Sequence, residues 1–121
     1  MEKKKTLVLG ASVNPARYSN LAITRLVNKQ HPVVAIGKKK GTVAGINIET
    51  EKIAFKDIDT ITLYLSAAHQ KDYYDYIISL HPTRLIFNPD AENDELAKLA
   101  MQHGIKAQEA CTLVLLSTGQ Y

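Results

Sequence analysis

A segment near the amino terminus combines residue types that suit phosphate binding. The apolar run 6–9 leads into Gly10, then into small and polar residues, and then into Arg17 ahead of a helical pattern. A glycine lets the main chain approach a ligand, and an arginine forms forked, charge-assisted bonds to phosphate oxygens. A parallel strand that leads through such a loop into a helix is a common way of holding a phosphate.

This phosphate loop supplies most of the candidate binding residues: Gly10, Ala11, Ser12, Asn14, Arg17, Tyr18 and Ser19. Only Gly10 matches the three-glycine dinucleotide fingerprint, so the loop alone is weak evidence for NAD. The alternative is that Asn14-Pro15 forms an ordinary turn and that Arg17 is a surface charge.

Three consecutive lysines follow the next predicted strand and lie between two glycines. They are Lys38, Lys39 and Lys40, and the next acidic residue along the chain is Glu49. An NAD site needs an acidic residue at this strand end, where it binds the ribose hydroxyls. Cations there suit a ribose that carries an extra phosphate, as in coenzyme A or NADP. An exposed basic turn is the alternative interpretation.

The single cysteine, Cys111, has two interpretations. It is either a small buried apolar residue or a residue at the mouth of the ligand crevice. No histidine stands at a short fixed spacing from it, so a cysteine–histidine nucleophile is not indicated. The four histidines show no metal-ligand spacing. We therefore predict no catalytic residue and no metal site, and we expect a binding protein rather than an enzyme.

Alternating strand and helix patterns predict an α/β fold. The expected class is a Rossmann-like three-layer sandwich with a mainly parallel five-stranded sheet. The predicted strands are 6–9, 33–36, 59–65, 84–87 and 105–108, and the predicted helices are 18–30, 68–80 and one from Asn93 to Gly104. Residues 45–48 are expected to form a small extra strand or hairpin arm, and 111–118 fit either a helix or a strand.

Ligands of such sheets bind at the carboxyl ends of the strands. The segments that follow the third, fourth and fifth strands add candidates to the loops already described. These are Leu65, Ser66, Asn88, Glu92 and Cys111. All of the strand ends meet at one edge, so one shared crevice is expected.

Composition limits the kind of protein. The chain has 121 residues, 45% of them hydrophobic and 22% charged, with a net charge of +3. This predicts one soluble domain over residues 1–121, with no broad basic face for nucleic acid. We find no apolar stretch for a signal peptide or membrane span, so cytoplasmic localisation is the default expectation. The apolar tail 113–116 is compatible with packing on its own core or on a second copy, which leaves a homodimer open.

Taken together, these motifs resemble those of a known family, the small single-domain CoA-binding proteins. These are similar to the amino-terminal CoA-binding domain of the succinyl-CoA synthetase alpha subunit. The resemblance covers nearly the whole chain. Its motifs are Gly10-Ala11-Ser12 with Asn14-Pro15 and Arg17-Tyr18-Ser19, the glycine-flanked lysines, Leu65-Ser66, Ile86-Phe87-Asn88-Pro89 and Cys111. Ser66 stands where the family often has proline, and Asp90 where glycine is common.

The resemblance implies that the chain holds the ADP part of CoA. Ser12 and Arg17 would bind phosphates, and Lys39 would bind the ribose phosphate. Leu65 and Ser66 would lie against the adenine or pantetheine, and Asn88 and Glu92 would lie near the pantetheine. The phosphohistidine of the synthetase belongs to a second domain, so ligase chemistry is not implied.

Four functions remain open for this sequence. The first is non-catalytic binding of CoA or an acyl-CoA, for example by a sensor or regulator. The second is NADP-type nucleotide binding. The third is a small enzyme that uses Cys111 on a CoA thiol or thioester. The fourth is an interaction domain that descends from a nucleotide binder and no longer holds a ligand.

Overall fold

The computed structural model describes residues 2–121. They contain seven strands: β1 (Thr6–Ala11), β2 (Val33–Gly37), β3 (Gly41–Val43), β4 (Ile46–Glu49), β5 (Thr60–Leu63), β6 (Arg84–Phe87) and β7 (Lys106–Glu109). These strands form one sheet in the order β3-β4-β2-β1-β5-β6-β7. All neighbours pair in parallel except β3 and β4, which are antiparallel. The Rossmann-like α/β class is confirmed, whereas the predicted number of five strands is wrong.

A hairpin accounts for the two additional strands. The two residues between β3 and β4 are Ala44 and Gly45, and both have positive φ, at 51° and 80°. A two-residue turn of this kind matches the twist of the flanking strands and folds them against each other. Because β4 also pairs with β2, the whole hairpin joins the sheet. Alanine rarely adopts positive φ, so the sequence does not mark this turn clearly.

Helices connect the parallel strands. They are α1 (Tyr18–Asn28), α2 (Ala67–Gln70), α3 (Tyr74–Ser79), α4 (Asp94–Gln102) and α5 (Thr112–Ser117), with a 3₁₀ turn at Lys71–Tyr73 between α2 and α3. The single helix predicted over 68–80 is therefore interrupted. The ambiguous segment 111–118 is helical over most of its length. No helix within residues 2–121 is long and apolar enough to cross a membrane.

Two apolar cores lie on opposite faces of the sheet. On one face, Ile77 of α3 and Leu96 of α4 pack against alternate strand residues such as Leu9. On the other face, Ile23 of α1 and Leu115 of α5 belong to a separate cluster of buried residues. Because side chains alternate across a strand, both faces need a helical cover. This produces the three expected layers.

The amino edge of the sheet is closed by polar contacts around Tyr121, which is 3% exposed. The Tyr121 hydroxyl lies 2.6 Å from Thr6 Oγ1. The Arg84 guanidinium lies 4.4 Å from the centre of the tyrosine ring, and its Nη2 donates to the Tyr121 main-chain oxygen at 2.9 Å. Lys4 donates its main-chain N–H to His31 Nδ1 at 2.9 Å. This cluster joins the first and last described segments of the chain.

His31 is held neutral within this cluster. It is 3% exposed, and its Nε2 is buried without a hydrogen-bond partner. Burial, assisted by the positive charges of Lys3, Lys4 and Arg84, lowers the pKa of His31, while Asp59 opposes the shift. A protonated ring would also lose its acceptor role toward the Lys4 N–H. The folded protein therefore binds a proton at His31 less readily than the unfolded chain does.

We expect the protein to lose stability as the pH falls below the ordinary histidine value of about 6.5. Because the folded-state pKa is lowered, the stabilisation is fully present above that value and is lost below it. Thermal unfolding should show a lower Tm at pH 5.5 than at pH 7.5. His31→Gln, which can still accept from Lys4, should weaken this dependence, and the exposed control His103→Gln should keep it. An unchanged pH slope in His31→Gln would contradict the assignment.

The loop after β6 contains a residue in a glycine-like conformation. Asp90 has φ of 76°, and the turn is closed by a hydrogen bond of 2.8 Å from the Ala91 N–H to the Asn88 oxygen. The left-handed region is costly for residues with a Cβ, although aspartate tolerates it better than most. The resemblance to the CoA-binding proteins leads us to expect glycine here, and the backbone has kept the conformation that glycine favours.

Two substitutions at this position test its strain. Asp90→Gly should be at least as stable as the natural protein, because glycine adopts positive φ without steric cost. Asp90→Ala should have a free energy of unfolding lower than that of the glycine variant by about 1 kcal/mol, since alanine pays the left-handed penalty. Urea unfolding measures both values. Equal stabilities of the two variants would show that the turn relaxes.

Candidate functional site

The carboxyl ends of five parallel strands lie side by side at one edge of the sheet. The residues that end these strands are Gly37, Ala11, Leu63, Phe87 and Glu109, in spatial order. The chain leaves β1 toward β2 on one side and later returns to β5 on the other side, which makes the end of β1 a switch point. Open α/β sheets bind ligands at such points. The structure therefore brings the predicted loops to a single edge.

Gly10 lets the main chain of β1 approach the segment after β5. Its φ is 98°, and a Cβ placed on it would lie 3.1 Å from the Tyr64 carbonyl carbon and 3.2 Å from the Leu65 nitrogen. The pairing register between β1 and β2 shifts between Leu9 and Ala11, so the strand is irregular at this point. A side chain at Gly10 would separate the two loops that flank the switch point.

Two further glycines hold the lysine turn beside the phosphate loop. A Cβ on Gly37 would overlap the Ala11 oxygen, and a Cβ on Gly41 would overlap the Val13 side chain. The three lysines between these glycines have exposed side chains. The backbone on both sides of the turn therefore lies against the β1–α1 loop. This places the cationic turn next to the predicted phosphate loop.

The phosphate loop is organised by its own polar side chains. Ser12 Oγ accepts from the Asn14 N–H at 3.1 Å, and Asn14 Oδ1 accepts from the Ala16 N–H at 2.9 Å. The Asn20 side-chain amide donates to the Ser12 main-chain oxygen at 3.0 Å. These bonds leave the Ser12 hydroxyl proton and the Asn14 amide protons as donors for a ligand. The loop is thus held in shape from within.

Helix α1 begins directly after this loop and presents main-chain donors at the edge. Arg17 is its N-cap residue but makes no capping hydrogen bond through its side chain, and the first turn has no acidic residue. The first helical hydrogen bonds are donated by Asn20 and Leu21, so the amides of Tyr18 and Ser19 precede them. Such amides, with the positive end of the helix dipole, attract anions. The Ser19 side chain is buried, whereas Tyr18 is 73% exposed.

The remaining predicted residues occupy the other half of the edge. Leu65 is half-buried against the Gly10 segment, and Glu92 is exposed. Ser66 precedes α2, and its hydroxyl lies 3.0 Å from His69 Nδ1.

Asn88 lies at the edge but its amide is engaged inside the fold. It is 2% exposed. Its Nδ2 donates to Thr62 Oγ1 at 2.7 Å and to the Leu63 oxygen at 2.9 Å, and its Oδ1 accepts from the Thr112 N–H at 2.8 Å. Both amide protons are therefore used on β5, and the side-chain oxygen binds the start of α5. These bonds favour a structural role over the predicted contact with pantetheine.

Cys111 is the N-cap residue of the short helix α5 and is half-buried. Tyr64, which follows β5, packs with the core cluster on the α1 and α5 face. The Tyr64 hydroxyl is buried without a hydrogen-bond partner, and burial raises the pKa of this phenol. The sequence pattern did not single out Tyr64, because an aromatic residue at a strand end is an ordinary core residue.

Another residue that the sequence did not indicate is Gln70, which is fully buried. It bonds to the main chain of both the β5–α2 and the β6–α4 loops. Glutamine in a predicted helix is normally taken as a solvent-facing residue. Only its contacts reveal its position.

The site is an open rim, and grooves elsewhere on the surface do not include the predicted ligand residues. One groove of about 190 Å³ lies between β2 and β4 against Phe55, and one of about 380 Å³ lies between α3 and α4 beside Tyr74. We take the rim as the candidate site because a phosphate is bound by converging donors and positive charge rather than by an enclosed volume. Within residues 2–121, no cluster of three or more histidine, cysteine, aspartate or glutamate side chains is arranged to hold a metal ion.

Similar proteins share this fold along its whole length. A crystal structure of an uncharacterized protein is 43% identical, with a TM-score of 0.97 and 100% of both chains covered. A hypothetical protein from Pyrococcus horikoshii OT3 is 21% identical, with a TM-score of 0.86 over 97% of this chain and 84% of its own. A Thermus thermophilus protein is 16% identical, with a TM-score of 0.86 over 98% of this chain and 91% of its own. Comparison with curated proteins finds no significant match.

The sequence pattern of one protein family matches residues 4–117, which include every strand, the phosphate loop and the lysine turn. With the glycine contacts that hold these two loops together, this match identifies the chain as a member of the CoA binding domain family.

Proposed function

We propose that this protein binds coenzyme A or an acyl-CoA through the phosphorylated ADP part of the ligand, without catalysing a reaction on it. The observation that carries the proposal is the contact of the lysine turn with the phosphate loop through Gly37 and Gly41. Two sets of phosphate donors thereby lie beside each other at the switch point of the sheet. A sensor or regulator of CoA is the role that this activity would serve.

The first set of donors fits the diphosphate. It consists of the amides at the start of α1, the Ser12 hydroxyl and the exposed Arg17 side chain. Main-chain amides at a helix start bind phosphate oxygens, and a guanidinium adds forked bonds to the same oxygens. The first turn of α1 has no acidic residue, so no negative side chain of the helix neutralises the positive end of the helix dipole.

The second set fits the phosphate on the ribose. Strand β2 ends at Gly37, and Lys38 follows at the position where an NAD site needs an acidic residue. Lysine binds phosphate as a compact charge, so a turn of three lysines favours a ligand with an additional phosphate. Both CoA and NADP meet this condition. Membership of the CoA binding domain family favours CoA.

The proposal contains no chemical step. Asn88 is engaged by Thr62, Leu63 and Thr112. His69 bonds to Ser66, and His103 bonds to the Leu99 oxygen. Binding therefore accounts for the edge without a nucleophile.

Arg17→Ala should weaken CoA binding by roughly 1.5–3 kcal/mol, which is the usual range for hydrogen bonds to a charged group. Isothermal titration calorimetry measures the change in Kd. Arg25→Ala is the matched control, because Arg25 is an exposed arginine in the last turn of the same helix. Equal Kd values for the Arg17 variant and the natural protein would remove Arg17 from the site.

Lys39→Ala should reduce the preference for CoA over dephospho-CoA, because the two ligands differ only in the ribose phosphate. The natural protein should bind CoA more tightly, and the variant should bind the two ligands with similar Kd values. Lys106→Ala is the control, since this exposed lysine begins β7 at the opposite edge of the sheet. If the natural protein does not distinguish CoA from dephospho-CoA, the role of the lysine turn is wrong.

Titration with NADP tests whether the protein binds NADP rather than CoA. Binding of NADP without binding of CoA would contradict the proposed ligand. Failure of both to bind would favour an interaction domain that no longer holds a nucleotide.

A further inference from the structure

Gln70 joins the loops that follow β5 and β6 through both the donor and the acceptor atoms of its side-chain amide. Its Nε2 donates to the Leu65 oxygen at 2.7 Å and to the Ala91 oxygen at 2.8 Å. Its Oε1 accepts from Asn93 Nδ2 at 2.8 Å. The side chain is fully buried, so these bonds are not shared with solvent. One residue thereby links the segment after β5 to the segment after β6.

The link continues into helix α4. Asn93 is the N-cap residue of α4, and its Oδ1 accepts from the Leu96 N–H at 3.3 Å. Asn93 Nδ2 also donates to the Tyr74 hydroxyl at 2.8 Å, and this hydroxyl donates to Glu95 at 3.0 Å. Loss of the hydrogen bond between Gln70 and Asn93 would thus disconnect Gln70 from this series of hydrogen bonds. The cap that Asn93 provides for α4 would remain.

These contacts lie directly beside the proposed phosphate site. A Cβ on Gly10 would meet Leu65 at its nitrogen and its Cδ2 atom, 3.2 and 3.3 Å away. Gln70 holds the carbonyl of the same Leu65 and connects it to Ala91. Close contacts and hydrogen bonds therefore connect Gly10 through Leu65 to Ala91, and we call these connected loops the wall. Ala91 itself is buried, and its neighbours Asp90 and Glu92 are the exposed residues of the wall.

The connected loops run along the edge of the sheet, away from the proposed phosphate site. Strand β6 is two strands away from β1, which corresponds to about 10 Å along the edge. Pantetheine is a flexible chain with two amide groups, and it loses conformational freedom when it binds. A rigid wall lowers the free-energy cost of binding, because the protein loops are already in their bound shape and need no further ordering.

We propose that Gln70 is a positioning residue that fixes the wall along which the pantetheine arm of the ligand lies. This inference rests on the proposed function. Gln70 itself is too deeply buried to touch the ligand, and it acts through the loops that contain Leu65 and Ala91. It therefore contributes to the affinity for the arm and not to the affinity for the nucleotide.

The test compares two ligands on each protein variant. One is CoA, and the other is adenosine 3′,5′-bisphosphate, which keeps the ribose phosphate and one 5′-phosphate but lacks the second 5′-phosphate and the pantetheine. Gln70→Met retains the side-chain length and removes all three hydrogen bonds. It should weaken CoA binding about tenfold, since the preorganisation lost corresponds to roughly one hydrogen bond. Binding of the bisphosphate should change less than twofold by the same reasoning.

A second variant keeps the test valid if Gln70→Met does not fold. Asn93→Ser retains a good helix cap but is too short to reach Gln70, so it should lower CoA affinity selectively and to a smaller extent. Tyr121→Phe is the matched control, because it removes one buried hydrogen bond, to Thr6, at the opposite edge of the sheet. It should lower Tm and leave the Kd values of both ligands unchanged.

The outcomes separate this inference from the function on which it rests. If the natural protein binds neither CoA nor the bisphosphate, the proposed function fails. If the natural protein binds CoA and the variants keep its Kd, Gln70 is not a positioning residue. An equal loss of affinity for both ligands would also overturn the inference, because it would indicate a general disturbance of the fold.

Discussion

Close backbone contact among the ends of β2, β1 and β5 is the constraint on which the site depends. Gly37 leaves room for the Ala11 carbonyl, and Gly10 leaves room for the main chain of Tyr64 and Leu65. A methyl group at Gly37 would overlap main-chain atoms, which cannot move aside as the end of a flexible side chain can. The lysine turn, the phosphate loop and the β5–α2 loop therefore approach one another because side chains are missing between them.

Buried side-chain amides also hold the loops together at this edge. Asn88 and Gln70 are almost or completely buried, and each bonds to more than one strand end or loop. Loops at the end of a sheet expose main-chain carbonyls and amides that need partners once they are covered. A side-chain amide supplies donors and an acceptor together, so one residue can satisfy several loops. This explains why polar residues lie inside an edge that is proposed to bind a ligand.

The two halves of the edge differ in their chemistry. The half around β1 and β2 has exposed cations and a helix start, whereas the half around β5 and β6 has Leu65, Glu92 and buried hydrogen bonds. The proposed ligand also has two different ends, with phosphates at one end and the pantetheine arm at the other. The separation arises because β1 lies between β2 and β5, which places the two kinds of loop on opposite sides of it.

Much of the fold and part of the site were predictable from local sequence. Alternation of apolar runs predicted the parallel strands and the helices, and the order of motifs predicted the family and the edge at which the candidate residues meet. Contacts between distant residues decided the rest. The hairpin arm expected at 45–48 is β4, and its pairing with β2 brings the whole hairpin into the sheet. The helix predicted over 68–80 is interrupted beside the buried amide of Gln70. Residue type and spacing indicate which hydrogen bonds a side chain can form. Partners far along the chain determine whether those bonds are formed inside the fold or whether the side chain stays available at the surface.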